Sequence, residues 1–324
     1  MTSAARLAAI DVGSNTIHLL LASCRPGRLP RQLFRRREFV QLGLDVAATG
    51  EIGPERLELA ATTLSGQVAE ARRRGAGQLA VGATQALRAA RNGEEVAFVL
   101  AQRAGLTKVV VLPAPEEAQL AFTGATMGVP RGTLTLLLDI GGASTQVALG
   151  PAGGVCSDHS LPLGSGSIAS LAAGDPPGPE EWRAMQRRVN ELIPDLVPPP
   201  PGTLALGTGG TITNLPRLIG RPKGSWLRLR EVEEVIEIFR ERSVLEVALK
   251  SGVDLERVRL CRGGALILAH LMDLLGLDRI RCSERGLRDG MVTGVLERGE
   301  DWWRPLASSE LLCPDAPEAA LVSP

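Results

Sequence analysis

Two turns, one in each half of the sequence, combine an aspartate with glycines and hydroxyl side chains. Glycine lets the backbone approach a ligand closely, and successive N–H groups in such a turn form a nest for an anion. An aspartate would repel a bare phosphate, so its presence predicts a hydrated Mg²⁺ or another divalent cation that bridges the carboxylate and the phosphate. The spacing therefore predicts two phosphate-binding turns with one metal-binding aspartate each. The residues are Asp11 with Gly13, Ser14, Asn15 and Thr16, and Asp139 with Gly141, Gly142, Ser144 and Thr145.

A third glycine-rich segment, residues 207–211, follows a short apolar run and leads into a helix. The N-terminus of a helix is a ready anion site because its first N–H groups have no partner inside the helix. We therefore predict that Gly209, Gly210 and Thr211 also bind phosphate.

The elements around these turns repeat. An apolar strand, an aspartate, a turn and a returning strand occur at 7–22 and again at 133–149. Strands that alternate with helices indicate an α/β fold. Further strands are predicted at 31–42, 79–84, 109–112 and 204–206, and helices at 54–74, 94–104, from Pro115 onward, 178–193, 256–276 and 287–298. A duplicated lobe predicts two turns that face each other across a cleft.

Length and charge narrow the class of protein. A chain of 324 residues exceeds what one core usually accommodates, so two domains are expected. Lys and Arg together number 36, as do Asp and Glu, which argues against a dedicated nucleic-acid binder. We find no run of about 18 apolar residues and no signal peptide, so we expect a cytoplasmic protein that contacts no membrane. The five cysteines lack a CxxC pair and are expected to be reduced thiols.

The motifs resemble those of the Ppx/GppA family of exopolyphosphatases and guanosine pentaphosphate phosphohydrolases, in the order of that family. They occupy 9–16, 81–88, 116–118, 139–142, 207–211 and 283–290. The resemblance implies the short two-domain type, with two actin-like (ribonuclease H-like) lobes at 1–122 and 123–304 around a cleft and a hinge near 122–130. Residues 305–324 carry Ser, Pro, Ala and Glu without periodicity, which predicts a disordered tail. It implies hydrolysis of terminal phosphoanhydride bonds with Mg²⁺. The substrate would be inorganic polyphosphate, which loses orthophosphate, or guanosine pentaphosphate, which loses its 5′-phosphate.

The resemblance also assigns roles to single residues. Glu117 matches the family's base for the attacking water, whereas Glu116 complements the N-terminus of its helix. Arg88 matches an arginine that binds phosphate. A homodimer is compatible with the family, but the sequence does not determine the oligomeric state.

Two positions depart from the family pattern. Gln146 stands where a glutamate is usual, and Gln41 where an arginine is frequent. The segment 139–146 is similar to a motif of ecto-apyrases, so Gln146 is predicted to position water while Glu117 acts as the base. Three alternatives stay open: an apyrase-like nucleoside triphosphatase, a nonhydrolytic sensor of polyphosphate or nucleotide, and a kinase of the same superfold, which no acceptor-site signal favours.

Overall fold

The computed structural model describes residues 4–304, which form two compact units, one of 4–128 with 285–304 and one of 129–284. Each is an actin-like α/β lobe, as predicted. The predicted boundary at 122/123 differs from this division, and so does the predicted placement of the last helix. The predicted tail, 305–324, lies outside the described residues. Among residues 4–304, no helix combines the length and the apolar character that crossing a bilayer requires.

The first unit contains five strands and six helices among its described residues. The strands are β1 (Ala5–Val12), β2 (Thr16–Cys24), β3 (Arg31–Phe39), β4 (Gln78–Ala83) and β5 (Val110–Val111). The helices are α1 (Leu42–Thr49), α2 (Pro54–Arg73), α3 (Gln85–Ala89), α4 (Gly93–Ala104), α5 (Ala114–Ala125) and, from the end of the chain, α13 (Leu287–Arg298), which a short 3₁₀ turn follows at Gly299–Asp301.

The second unit contains the remaining described elements. Its strands are β6 (Leu134–Ile140), β7 (Thr145–Pro151), β8 (Ser157–Leu161), β9 (Leu204–Thr208), β10 (Trp226–Arg228) and β11 (Arg279–Cys282). Its helices are α6 (Ser165–Ala169), α7 (Pro179–Leu192), α8 (Gly209–Ile212), α9 (Leu215–Leu218), α10 (Leu229–Glu241), α11 (Val244–Ser251) and α12 (Leu255–Leu274).

The two sheets share one topology, which confirms the predicted repeat. The first has the order β3-β2-β1-β4-β5, and the second has β8-β7-β6-β9-β11 with β10 added at its far edge. In both, the strand that carries the aspartate pairs antiparallel with the next strand and parallel with the fourth. Because parallel strands place their carboxyl ends at one edge, the aspartate turn and the segment after β4 or β9 lie side by side.

The last helix belongs to the first unit because α13 packs against α5 with almost no space between the two backbones. A Cβ atom at Gly290 would collide with the carbonyl oxygen of Leu120, and one at Gly124 would collide with that of Gly286. Two glycines therefore permit the contact. A sequence pattern cannot show this return, since 287–298 follows the second lobe along the chain. Helix α5 also extends to Ala125, into the region predicted as a hinge.

The other elements that the prediction omitted are short, except α10, which spans 13 residues. Strands β8, β10 and β11 were not predicted, and neither were α1, α3, α6 and α8 to α11. Most of them are too short for a periodic pattern to stand out. Cys24, Cys261 and Cys282 are buried free thiols, as expected, whereas Cys156 is disulfide-bonded, contrary to the expectation.

Candidate functional site

The first aspartate turn is closed by a backbone hydrogen bond and braced by the segment that follows β3. Gly13 N donates to Thr16 O at 3.0 Å. Asn15 O accepts from Gln41 N at 3.0 Å, and Ser14 O accepts from Gly43 N at 2.8 Å. Gln41 has a φ of 52°, a left-handed conformation that lets the chain turn into α1. Gln41 thus shapes the turn through its backbone.

Two polar atoms of this turn are buried without a hydrogen-bond partner among residues 4–304: Asp11 Oδ1 and Asn15 Nδ2. The other carboxylate oxygen, Asp11 Oδ2, accepts from Arg288 Nη1 at 3.4 Å. Burial raises the pKa of Asp11, and the charge of Arg288 acts in the opposite direction. A buried acceptor oxygen beside a glycine turn fits a divalent cation, and the free amide donor fits a phosphate oxygen.

Arg88 and Glu117 form an ion pair at the carboxyl ends of β4 and β5. Arg88 Nη1 donates to Glu117 Oε2 at 2.8 Å and to Leu112 O at 2.6 Å, and Arg88 Nη2 donates to Gln85 Oε1 at 2.8 Å. Glu117 is 7% exposed and lies in the first turn of α5. Arg88, which the sequence predicted to bind phosphate, therefore directs these donors to protein groups and fixes the glutamate that was predicted as the base.

The second aspartate turn repeats the geometry of the first. Gly141 N donates to Ser144 O at 2.9 Å, and Asp139 lies opposite Gln146 as Asp11 lies opposite His18. The carbonyl groups of Gly141 and Gly142 accept from the backbone of residues 165–167. The strand register therefore makes Ser144 the counterpart of Thr16.

Thr145 and Gln146 have distinct environments within this second turn. Thr145 Oγ1 is buried and donates to Leu163 O at 2.6 Å, so its hydroxyl braces the chain instead of extending toward a ligand. Gln146, which is 2% exposed, directs Nε2 toward Ser144 Oγ at 3.3 Å and Ser160 Oγ at 3.4 Å. Gln146 Oε1 accepts no hydrogen bond from residues 4–304. A glutamate here would accept from both hydroxyls, whereas the glutamine donates to them.

The third turn lies against the second. Gly209 has a φ of 93°, and a Cβ atom there would lie 2.9 Å from Asp139 Oδ1. Only glycine fits this left-handed position next to a carboxylate. Thr211 Oγ1 is buried and has no hydrogen-bond partner within residues 4–304. The structure thus places Gly209 directly beside Asp139, and phosphate binding by Gly209, Gly210 and Thr211 stays a prediction.

Three residues near these turns were not singled out from the sequence. Arg288 contacts Asp11, and Arg257, 6% exposed on α12, lies so close to Gly210 that a Cβ atom there would collide with the guanidinium. Gly164 packs against the backbone of residues 142–143 with no room for a side chain. The sequence does distinguish Arg257, because it is a charged residue within the apolar pattern of 256–276. Arg288 could have been found as well, since it lies inside the motif 283–290.

Residues 4–304 contain no group of three or more His, Cys, Asp or Glu side chains that could hold a metal ion. The predicted metal-binding aspartates, Asp11 and Asp139, belong to different units. Mg²⁺ commonly keeps several waters and binds through one or two carboxylates and the oxygens of its substrate. A single aspartate at the turn of each unit fits such a cation better than one that requires a full set of protein ligands.

The sequence and the fold are similar to those of known proteins. The model of the Ppx/GppA phosphatase family matches residues 21–299. An uncharacterized protein of Streptomyces coelicolor is 31% identical, with 96% of this chain and 97% of the relative covered. Exopolyphosphatase 2 of Mycobacterium tuberculosis is 28% identical, with coverage of 90% and 98%. The structure of a PPX-GPPA enzyme of Aquifex aeolicus is 25% identical, with a TM-score of 0.69 and coverage of 88% and 98%.

Proposed function

Because this chain belongs to the Ppx/GppA phosphatase family and is a phosphoanhydride hydrolase, we propose that it releases terminal orthophosphate from inorganic polyphosphate. The observation that carries the proposal is the repeated aspartate turn with buried, unpartnered polar atoms, Asp11 Oδ1 and Asn15 Nδ2, in the first unit. Relatives named exopolyphosphatase over nearly the full length support the choice of polyphosphate.

The first unit supplies the base in this proposal. Glu117 accepts a proton from the attacking water, and the ion pair with Arg88 keeps its carboxylate in one orientation. Asn15 Nδ2 and the N–H groups of the turn donate to phosphate oxygens. Charge on the transferred phosphoryl group is the main obstacle to the reaction, so donors fixed before the substrate arrives lower the barrier.

The second unit supplies further donors. Ser144 Oγ, Thr211 Oγ1 and the backbone N–H groups of Gly142 and of residues 209–210 hold phosphate oxygens, while the N–H of Gly141 closes the turn. Gln146 orients water through its amide. Asp11 and Asp139 are the residues that would hold Mg²⁺, and a bound Mg²⁺ supplies positive charge that neutralises the phosphate oxygens.

An apyrase-like nucleoside triphosphatase is the second candidate function, and Gln146 is the observation that favours it. The neutral amide replaces the usual carboxylate at a buried position opposite Asp139. Guanosine pentaphosphate is a third candidate substrate, because the family also contains guanosine pentaphosphate phosphohydrolases. The same turns would bind the terminal phosphates of all three compounds.

A substrate panel separates these functions. Phosphate release is measured with tripolyphosphate, long-chain polyphosphate, guanosine pentaphosphate, ATP and GTP, each with Mg²⁺ and with a chelator. We expect the highest kcat/KM with polyphosphate and at least a hundredfold loss with the chelator, about the size of one removed electrostatic contribution. A preference for ATP or GTP would replace the proposal by the triphosphatase, and binding without any release would replace it by the sensor. Equal rates with and without the chelator would remove the metal from the mechanism.

A further inference from the structure

Arg288 contacts the aspartate of the first turn through a long ion pair. Arg288 Nη1 lies 3.4 Å from Asp11 Oδ2, whereas a charged hydrogen bond between an arginine and a carboxylate typically measures about 2.7–2.9 Å. A guanidinium carries five N–H donors, and residues 4–304 accept a hydrogen bond from only one of those of Arg288. The side chain is 24% exposed. Four donors beside the first turn are therefore available to a ligand.

The helix that carries Arg288 does not explain a positive charge at this position. Arg288 is the second residue of α13, and the N-terminus of a helix stabilises negative charge instead of positive charge. The ion pair is not needed to dock α13 either, because close backbone contacts at Gly124 and Gly290 hold this helix against α5. The position of Arg288 therefore indicates a role in the site and not in the fold.

Asp289 is the other carboxylate near Arg288, but it is engaged elsewhere. Asp289 Oδ2 accepts from Gly286 N at 3.3 Å, which closes the first turn of α13. Burial raises the pKa of Asp289, and the charges of three arginines, Arg288 among them, act in the opposite direction. Within the described part of the chain, Asp11 is the one carboxylate that forms an ion pair with Arg288.

Arg88, the arginine to which the family resemblance assigns phosphate, has its donors occupied. Arg88 Nη1 donates to Glu117 Oε2 and to Leu112 O, and Nη2 donates to Gln85 Oε1. A phosphate would have to displace these protein groups. Arg288 would give up one long contact, to a carboxylate whose charge a divalent cation can neutralise instead. Turning toward a phosphate therefore costs less for Arg288 than for Arg88.

We propose that Arg288 neutralises Asp11 while the site is empty and donates to a phosphate oxygen of the substrate when the site is loaded. This inference rests on the proposed function and deepens it, because it transfers to Arg288 the phosphate contact expected of Arg88. In the empty site, Arg288 competes with a cation for Asp11. In the loaded site, its guanidinium stabilises the negative charge of the transferred phosphoryl group.

The two roles predict effects of opposite sign when the charge of Arg288 is removed. A cation should bind the empty site more tightly, because its competitor for Asp11 is gone. Phosphate should bind more weakly, because a charged donor is gone. An ion pair that merely positioned Asp11 would instead weaken the binding of the cation, since the carboxylate would lose its orientation.

The experiment compares three variants with wild type. Arg288→Gln removes the charge, and Arg288→Lys keeps it without the planar fork of donors. Arg103→Gln is the control, because Arg103 forms an exposed ion pair with Glu58 and the exchange removes the same charge. Melting curves show that each protein is folded. Binding of Mn²⁺ alone is measured by electron paramagnetic resonance, binding of inorganic phosphate at saturating Mg²⁺ by calorimetry, and kcat with tripolyphosphate.

For Arg288→Gln, we expect the dissociation constant of Mn²⁺ to fall about tenfold, since a charge within about 4–6 Å changes the proton affinity of a carboxyl by at least that factor. The dissociation constant of inorganic phosphate should rise about tenfold or more, and kcat should fall by about 10²–10³. Arg288→Lys should bind Mn²⁺ like wild type and recover part of the phosphate affinity. Arg103→Gln should match wild type throughout.

Two results would overturn the proposal. Weaker binding of Mn²⁺ by Arg288→Gln would show that the arginine only positions Asp11. Unchanged phosphate affinity and kcat in this variant would show that the arginine does not contact the substrate. If wild type releases no phosphate from tripolyphosphate, the proposed function fails, whereas the two binding measurements still decide the role of Arg288.

Discussion

The exchange Glu117→Gln tests the assignment of the base most directly, because it preserves shape and removes only the ionisable carboxylate. Loss of a general base typically lowers the rate by about 10²–10⁴. The glutamine oxygen can still accept from Arg88, which also keeps its bonds to Leu112 O at 2.6 Å and to Gln85 at 2.8 Å. We therefore expect kcat to fall by about 10²–10⁴ and the affinity for polyphosphate to change little.

The structure also predicts a cost in stability, which must be kept apart from the loss of activity. Glu117 is 7% exposed, and its hydrogen bond with Arg88 is assisted by charge. Replacing a charged partner by a neutral one in such a bond costs about 1 kcal/mol. For a domain of this size, that corresponds to a decrease in Tm of about 2–4 °C. The variant should therefore be folded at the assay temperature.

The assay is single-turnover phosphate release, combined with equilibrium binding of polyphosphate. Glu116→Gln is the control, since Glu116 precedes Glu117 in α5 and forms no ion pair with residues 4–304; we expect nearly wild-type turnover. Arg88→Gln distinguishes two roles of the arginine. If Arg88 positions Glu117, the exchange lowers kcat; if Arg88 binds phosphate directly, the exchange raises KM. A Glu117→Gln protein that turns over at the wild-type rate would refute the base assignment.

Two further predictions concern the residues around the aspartates. Gln146→Glu should raise the affinity for Mg²⁺, because it adds a carboxylate opposite Asp139. A titration of the rate against Mg²⁺ in wild type and in the variant measures this affinity. A lower turnover of the variant at saturating Mg²⁺ would show instead that the amide orients water. Asp11→Asn should abolish turnover yet raise Tm at pH 7 in the presence of a chelator, because burial raises the pKa of Asp11 and the metal-free folded state therefore disfavours its charged form. This gain should disappear as the pH falls toward 3.8, the ordinary pKa of the carboxyl, since the wild-type group is then protonated in the folded protein as well; a Tm difference that does not depend on pH would contradict the argument.

The turns could be found from sequence because their chemistry is local. An aspartate at a strand end, a glycine and a hydroxyl within a few residues specify a tight hairpin suited to an anion. The structure contains both hairpins, each closed by the same hydrogen bond from the glycine N–H. The ion pair of Arg88 with Glu117 could not be predicted from the sequence, because it joins two strand ends through side chains that are far apart in the chain. The return of α13, which brings Arg288 to Asp11, depends in the same way on packing and not on pattern.

The strand register shows which residues of the two lobes correspond. It also gives a structural interpretation of Gln146, which stands where a glutamate is usual in the family. Counting from the aspartates, Gly13 corresponds to Gly141, Thr16 to Ser144 and His18 to Gln146. The residue opposite the aspartate is thus histidine in one lobe and glutamine in the other, so neither lobe places a second carboxylate there. At these turns each lobe would offer one aspartate to a cation, as the proposal requires. A cation in this protein would therefore depend on oxygens of the substrate for much of its coordination, and we expect its binding to be coupled to the binding of phosphate.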